Sequence, residues 1–231
     1  MLYVGQWNNS LAVRSENISR GQDQLSFIER ARRTQIVDCA IDAIAELGYA
    51  KASLAEIARR AGVSKGVISY HFEGRRELVE EVVKAILGKA TAVMRPRILA
   101  EHSAAGMLRA YLTTNLEFLG SHHDYIRALM NIAAGFRADD GKPMFESALV
   151  FEGAVRGLEK LLRDGQARGE FREFSTRAMA VAIRNAIDGL ASQLAVNPKL
   201  DLKSYASELA TVFDLATRKT PRSGGNADDT E

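Results

Sequence analysis

The sequence predicts an all-α protein: an N-terminal three-helix helix-turn-helix domain followed by a second, C-terminal helical domain. Three observations carry that prediction. Ala and Leu are abundant, whereas only 7% of the 231 residues are aromatic and only four are proline; small and unbranched side chains favour helices, and the strand formers are scarce. Apolar residues recur at three- and four-residue intervals through most of the chain, the helical period. Finally, residues 53–72, SLAEIARRAGVSKGVISYHF, contain two short helical patterns separated by a glycine turn, the arrangement of a helix-turn-helix. The expected divisions are an arm over 1–25, the helix-turn-helix unit over 26–74, a connecting helix over 75–95, the second domain over 96–219 and a tail over 220–231.

Composition narrows the class. An apolar fraction of 46% with 26% charged residues is that of a soluble globular protein. No apolar run approaches the roughly 18–20 residues that span a bilayer, and the N-terminus lacks a basic stretch followed by an apolar core. A single cysteine, Cys39, excludes an intrachain disulfide and suits a cytoplasmic location. No membrane partner is expected.

In chain order, residues 1–25 are rich in Asn, Ser, Gln and Gly without a sustained period and read as a mobile arm. Arg14 and Arg20 there are offset by Glu16 and Asp23, so Arg30, Arg32 and Arg33 are the better candidates for phosphate contact. The first helix is expected from Ser26 to Leu47, burying Ile36, Val37, Ala40, Ile41, Ile44 and Leu47, with Cys39 as a small residue at the core edge. In the central stretch, Leu54, Ile57, Ala58 and Ala61 fall on one helical face. Ser53 and Glu56 have the spacing of a capping box, Gly62 is placed to stop the helix, and Ser64 offers a second cap for a helix over Lys65–His71. A fourth helix carries Leu78, Val79, Val82, Val83, Ile86, Ala90, Val93 and Met94 to about Arg95, where Pro96 is expected to stop it. Further helices are expected near 104–120, 124–137, 143–168, 175–196 and 202–218. Gly165 and Gly169 are expected to break the third of these, before a polar connector over Gly169–Arg172. The tail from Thr220 is expected to be disordered.

The central stretch points to DNA. Val63, Val67 and Ile68 are spaced to hold the second helix on the first, which turns Lys65, Gly66, Ser69, Tyr70 and His71 outward. A second helix so mounted enters the major groove in DNA-binding proteins. Ser, Tyr, His and Lys make phosphate contacts, helix N-termini add N–H donors, and Gly66 lets a backbone come close. Six basic residues, Lys51, Arg59, Arg60, Lys65, Arg75 and Arg76, face only Glu56 and Glu73 between positions 51 and 76, a local electropositive footprint on a chain of formal charge only +2. The competing reading is an ordinary helical pair with a solvated basic face.

Residues 32–87 resemble the N-terminal domain of the TetR family of transcriptional regulators. The resemblance lies in the Ile36–Leu47 helix ending in Gly48-Tyr49, in Ser53-Leu54-Ala55-Glu56-Ile57-Ala58 and in Ala61-Gly62-Val63-Ser64-Lys65-Gly66. Tyr70-His71-Phe72, a cation at Arg75 and Glu77-Leu78 complete it. Two departures are Ser69, where many members have tyrosine, and Arg75, where lysine is commoner. The resemblance implies DNA contacts from Ser53, Ser64, Lys65, Gly66, Val67, Ser69, Tyr70, His71 and Arg75, with bases read near the start of the second helix. It also implies double-stranded DNA with a palindromic operator as partner, a homodimer, and a small-molecule effector bound in the second domain. Repression released by that effector is the family's usual mode.

In the second domain, Ala178, Ala182, Ala186 and Gly189 on one helix and the stripe Leu202–Ala216, including Leu209 and Phe213, suit a twofold four-helix interface or, equally, packing within the chain. Met94, Tyr111, Asn115, Phe118, Tyr125, Met130 and Phe151 are the candidates for lining an effector pocket, together with Met107 and Phe136. Tyr111 and Asn115 are the polar groups suited to orienting a ligand. Adjacent His122 and His123 have no partner at metal-ligand spacing, so no metal and no cofactor are expected. No nucleophile–base constellation rises above chance, so no enzyme activity is expected. The alternative is a helical small-molecule-binding or enzymatic protein whose N-terminal bundle is only structural.

Overall fold

The computed structural model describes residues 27–136 and 147–219, and only the backbone of 147–151. The expected arm over 1–25, the tail over 220–231 and the side chain of Phe151 lie outside the described residues. Among the described residues there are nine α-helices and one isolated bridge, between Phe171 and Arg218. The helices are α1 (Phe27–Leu47), α2 (Leu54–Ala61), α3 (Lys65–His71), α4 (Arg75–Leu99), α5 (Ala104–Ser121), α6 (His123–Gly135), α7 (Ser147–Ala167), α8 (Thr176–Val196) and α9 (Leu202–Thr217).

Two cores organise them. The first gathers Ile36, Ile41 and Ile44 of α1, Ile57 of α2, Ile68 of α3, Phe72, and Leu78, Val82 and Ile86 of α4. It also takes in Ala128 and Ile132 of α6, and Phe136 just beyond it. The second is built from Met94 and Ile98 of α4 with the apolar faces of α5, α7, α8 and α9. Helix α4 therefore serves both, its first half in one core and its last turns in the other. Because α6 also closes over α1, Ala43 and Ala45 are buried besides the expected stripe, while Leu47 at the helix end is 37% exposed.

Three expectations about helix ends and the connector are corrected. Pro96 lies inside α4, which runs on to Leu99; one absent N–H near the end of a helix is a small loss, and continuing buries Ile98 in the second core. Gly165 does not break α7. It is buried within the helix because Phe171 and Ala104 press on it: a Cβ there would lie 2.3 Å from a Phe171 ring carbon and 2.8 Å from the Ala104 Cβ. The helix ends at Ala167, and Gly169, as expected, turns the chain just beyond it with a φ of 72° that suits glycine. The connector after it is not simply polar, since Phe171 is a core residue and Glu170 Oε2 accepts from the backbone N–H of Ala104 at 2.5 Å, satisfying the start of α5.

Candidate nucleic-acid interface

The α2–turn–α3 unit is set by its own sequence. Ser53 Oγ accepts from Glu56 N at 3.2 Å and Ser64 Oγ from Val67 N at 3.3 Å, capping the two helices. Gly62 at φ 64° ends α2, its N–H turned back to Ala58 and Arg59 carbonyls. Only half of the capping box forms. Glu56 does not reach back to the Ser53 backbone but accepts from Arg59 Nη2 at 2.7 Å and Arg60 Nε at 2.8 Å. Those hydrogen bonds hold its carboxyl at about 2.

The second helix presents Lys65, Gly66, Ser69 and Tyr70 to solvent, with Tyr70 73% exposed. Ile68 is buried, and Val67 is half-buried against the first core with part of its side chain still exposed. His71 is half-buried, and burial followed by the Arg33 charge holds it below the usual imidazole range, so it is neutral at pH 7. The capping serines use an oxygen lone pair and keep their O–H as a donor. Ser64, Lys65, Ser69 and Tyr70 thus place hydroxyls and an ammonium along one exposed helix, and Ser53 adds a hydroxyl at the start of α2, groups suited to anionic oxygens.

The basic footprint is smaller than the count of cations. Arg59 and Arg60 are tied to Glu56, Arg60 also to Glu46 at 2.8 Å, and Arg76 to Glu80 at 3.2 Å. Arg75 folds back on Tyr49, donating to its carbonyl and lying 4.1 Å from its ring centroid. Arg33, expected at phosphate, instead donates to the His71 carbonyl, covers the Phe72 ring at 4.3 Å and pairs with Glu77 at 3.2 Å. Lys51 and Lys65 stand exposed, with no acid partner among the described residues. A contact absent from the sequence reading joins Tyr70 to Glu29 of α1, the phenol donating to Oε1 at 3.1 Å.

The reading unit is tied to the second half of the chain at the end of α1. Tyr49 lies between Arg75 and α6, its ring centroid 5.5 Å from that of Phe136. Gly135 is close enough that a Cβ would sit 2.8 Å from the Tyr49 ring. Asn131 donates to the Ile44 carbonyl at 2.8 Å. Phe136, a pocket candidate by sequence, is therefore a residue of the first core.

The effector candidates fall into separate groups. Tyr111 and Asn115 are buried and meet at Arg184 of α8: Nη1 donates to the Tyr111 hydroxyl at 3.2 Å and to Asn115 Oδ1 at 3.3 Å, while Asp188 takes Nη2 at 2.5 Å. Sequence gave no sign of Arg184. Phe118 stacks on His122 at 4.1 Å with Tyr125 beside them. Met94 is buried in the second core and Met130 is half-buried. None of these lines the cleft of about 590 Å³ between α5 and α9, whose walls include Arg109, Leu116, Leu202 and Ala206. Among the described residues no group of His, Cys, Asp and Glu could hold a metal ion, and no helix is long and apolar enough to cross a membrane.

On α8, Ala178, Ala182 and Gly189 are exposed and Ala186 is half-buried. On α9, Leu209 packs against the second core and Phe213 is 8% exposed inside the chain, whereas Val212 and Leu215 are 51% and 53% exposed. Phe213 is thus corrected from an interface residue to a core residue.

Residues 36–82 match the family described as bacterial regulatory proteins, tetR family. The HTH-type transcriptional regulator BetI of Serratia proteamaculans is 38% identical over 89 residues, 37% of this chain and 44% of that one; its counterpart from Klebsiella pneumoniae is 38% identical over 88 residues, 37% and 45%. The chain thus spans less than half the length of these relatives. Over a larger extent the fold is that of the transcriptional regulator FadR from Bacillus subtilis, solved in complex with stearoyl-CoA, with a TM-score of 0.68 at 23% identity over 78% of this chain and 96% of that one. NalD, the secondary repressor of the MexAB-OprM multidrug efflux pump in Pseudomonas aeruginosa, gives 0.63 at 19% identity over 85% and 100%.

Proposed function

We propose that this chain, whose residues 36–82 match the family described as bacterial regulatory proteins, tetR family, is a ligand-responsive, DNA-binding transcriptional regulator, a repressor released from its operator by a small molecule. It acts in the cytoplasm and is not an enzyme. The observation that carries the reading is the exposed face of α3, where Lys65, Gly66, Ser69 and Tyr70 surround a helix fixed from behind by Ile68. Seven residues reach too few base pairs for selectivity, so two copies on a palindrome are needed. Exposed apolar residues on α9 and small residues on α8 supply a matching face for a second copy, since a monomer gains nothing by showing Val212 and Leu215 to water. Phosphate contacts come from Lys51, Lys65 and the hydroxyls of Ser53, Ser64, Ser69 and Tyr70.

The effector binds in the second domain, where it can alter α4 and α6, the helices shared with the first core. It shifts the equilibrium only by its different affinity for the two states. Half-buried Arg184, with buried Tyr111 and Asn115, forms the polar centre of that region.

The test is fluorescence anisotropy of the purified protein with duplexes from its own upstream region, against a scrambled competitor, across a salt series. Selective binding with a steep salt dependence is expected. A folded, ligand-free protein that ignores DNA at low salt overturns the proposal.

A further inference from the structure

Helix α5 faces two ways. On one side Tyr111 and Asn115 meet Arg184 of α8. On the other, Arg109 and Leu116, two turns apart, line the cleft of about 590 Å³ against α9. That volume lies within the roughly 300–1,000 Å³ range of small-molecule sites. Across from them α9 contributes Leu202, Lys203, Ser207 and Ala210. The two helices come together where Leu202 lies against Gly120: a Cβ on that glycine would stand 3.2 Å from Leu202 Cδ1. Lys203 and Ser207 are one turn apart, on the side of α9 away from exposed Tyr205 and Val212. A second copy seated on Tyr205 and Val212 therefore leaves the cleft open.

Charge decides what can fill it. Glu117 is the one carboxylate among the described residues lining the cleft, and it is already taken. Both its oxygens accept from Arg97 of α4, Oε1 from Nη2 at 3.2 Å. In the adjoining hollow, which shares Arg109, Glu101 lies over Gly106 and forms no ion pair with Arg109. Arg109 on one wall and Lys203 on the other are exposed, and neither has an acid partner among the described residues. Ser207 adds a hydroxyl, while Leu116, Leu202 and Ala210 supply apolar surface. An inorganic anion would satisfy the cations and leave the leucines wet; a neutral apolar molecule would do the reverse. We propose that the α5–α9 cleft is a binding site for a small organic anion. Arg109, Lys203 and Ser207 hold its charged group, and Leu116, Leu202 and Ala210 receive its apolar body. It is a second site, separated from the Arg184 group by the thickness of α5, and it does not depend on DNA binding.

The test uses a fluorescent pair on the full-length protein. Anilinonaphthalene sulfonate is an anion with an aromatic body, and phenylnaphthylamine is the same body without the sulfonate. Arg109→Gln, Lys203→Gln and the double variant are titrated beside the unaltered chain at fixed low salt. Both positions are exposed, so the fold is expected to survive, and urea unfolding of each variant checks that. One unit charge at about 4 Å in water corresponds to about a fivefold change in affinity. Each single substitution is expected to weaken sulfonate binding about fivefold and the pair about 25-fold, as for independent charges, with the uncharged probe unmoved. Sulfonate affinity unchanged in the double variant, or equal losses for both probes, overturns the proposal. So does binding lost in Arg184→Gln but kept in the double variant, which assigns the probe to the effector region instead. A sulfonate that fails to saturate the unaltered chain overturns it as well, and leaves the regulator reading in place.

Discussion

Replacing Arg75 by alanine separates two roles that the sequence cannot tell apart. By resemblance Arg75 is a DNA contact; in the structure its guanidinium donates to the Tyr49 carbonyl and lies 4.1 Å over the Tyr49 ring. A hydrogen bond from a charged donor is worth about 1.5–3 kcal/mol, and a cation over a partly exposed ring adds about 0.5–1 kcal/mol. Solvent reaches this half-buried site, so the lower ends apply, and Arg75→Ala is expected to cost about 2 kcal/mol of stability. For a chain of this size that lowers the melting temperature by about 4–8 °C. A residue serving DNA alone would instead leave stability within about 0.5 kcal/mol and reduce the salt slope of binding by about 0.9 per phosphate lost. Urea unfolding followed by circular dichroism, beside the anisotropy salt series, reads both quantities. Unchanged stability with a shallower salt slope refutes the clamp.

Three further outcomes are expected. The Glu56 carboxyl is held at about 2 by hydrogen bonds from Arg59 and Arg60; a depressed carboxyl contributes stability above its unfolded value near 4.3 and loses it as pH falls toward 2. Glu56→Gln is therefore less stable at neutral pH, and its acid titration of stability is shallower than that of the unaltered protein, converging with it near pH 2; parallel curves refute this. Gly165→Ala places a methyl 2.3 Å from the Phe171 ring, and overpacking of about 1–3 kcal/mol outweighs the roughly 1 kcal/mol gained in helix propensity. A net loss of up to about 2 kcal/mol is expected in urea unfolding, and greater stability contradicts the packing. Val212→Glu, at a residue 51% exposed on α9, is expected to turn a dimer into a folded monomer in sedimentation velocity; an intact dimer moves the interface elsewhere.

What could be read from sequence was local. The caps at Ser53 and Ser64 and the stop at Gly62 depend on residues three or four apart, and the structure forms all three. Expectations that depended on distant partners failed in a consistent way. Arg33, Arg60 and Arg75 look alike as charges, yet their availability is decided by Glu77, Glu46 and Tyr49. The Arg75 and Arg33 partners lie 26 and 44 residues away in the chain. Gly165 looked like a breaker because the pressure of Phe171 on it appears only after the chain has turned back. Phe213 and Val212 are adjacent on α9, and only the position of the second core decides which of them is inside. Half-buried Arg184 left no trace in any pattern, because a cation at helical spacing reads as surface.

The closure of the first core by Ala128, Ile132 and Phe136 bears on how such a protein can be cut and recombined. A fragment ending after α4 would carry every residue of the reading unit and still leave one flank of α1 open to water, with the Ile44 carbonyl deprived of Asn131. Transplanting the head alone onto another regulator sets a foreign α6 against Tyr49, where even one extra carbon in place of Gly135 collides with the ring. The exchangeable piece is therefore discontinuous: residues 27–99 travel intact only with the matching turn-to-turn surface of α6, and grafts that respect this seam should fold where simpler ones do not.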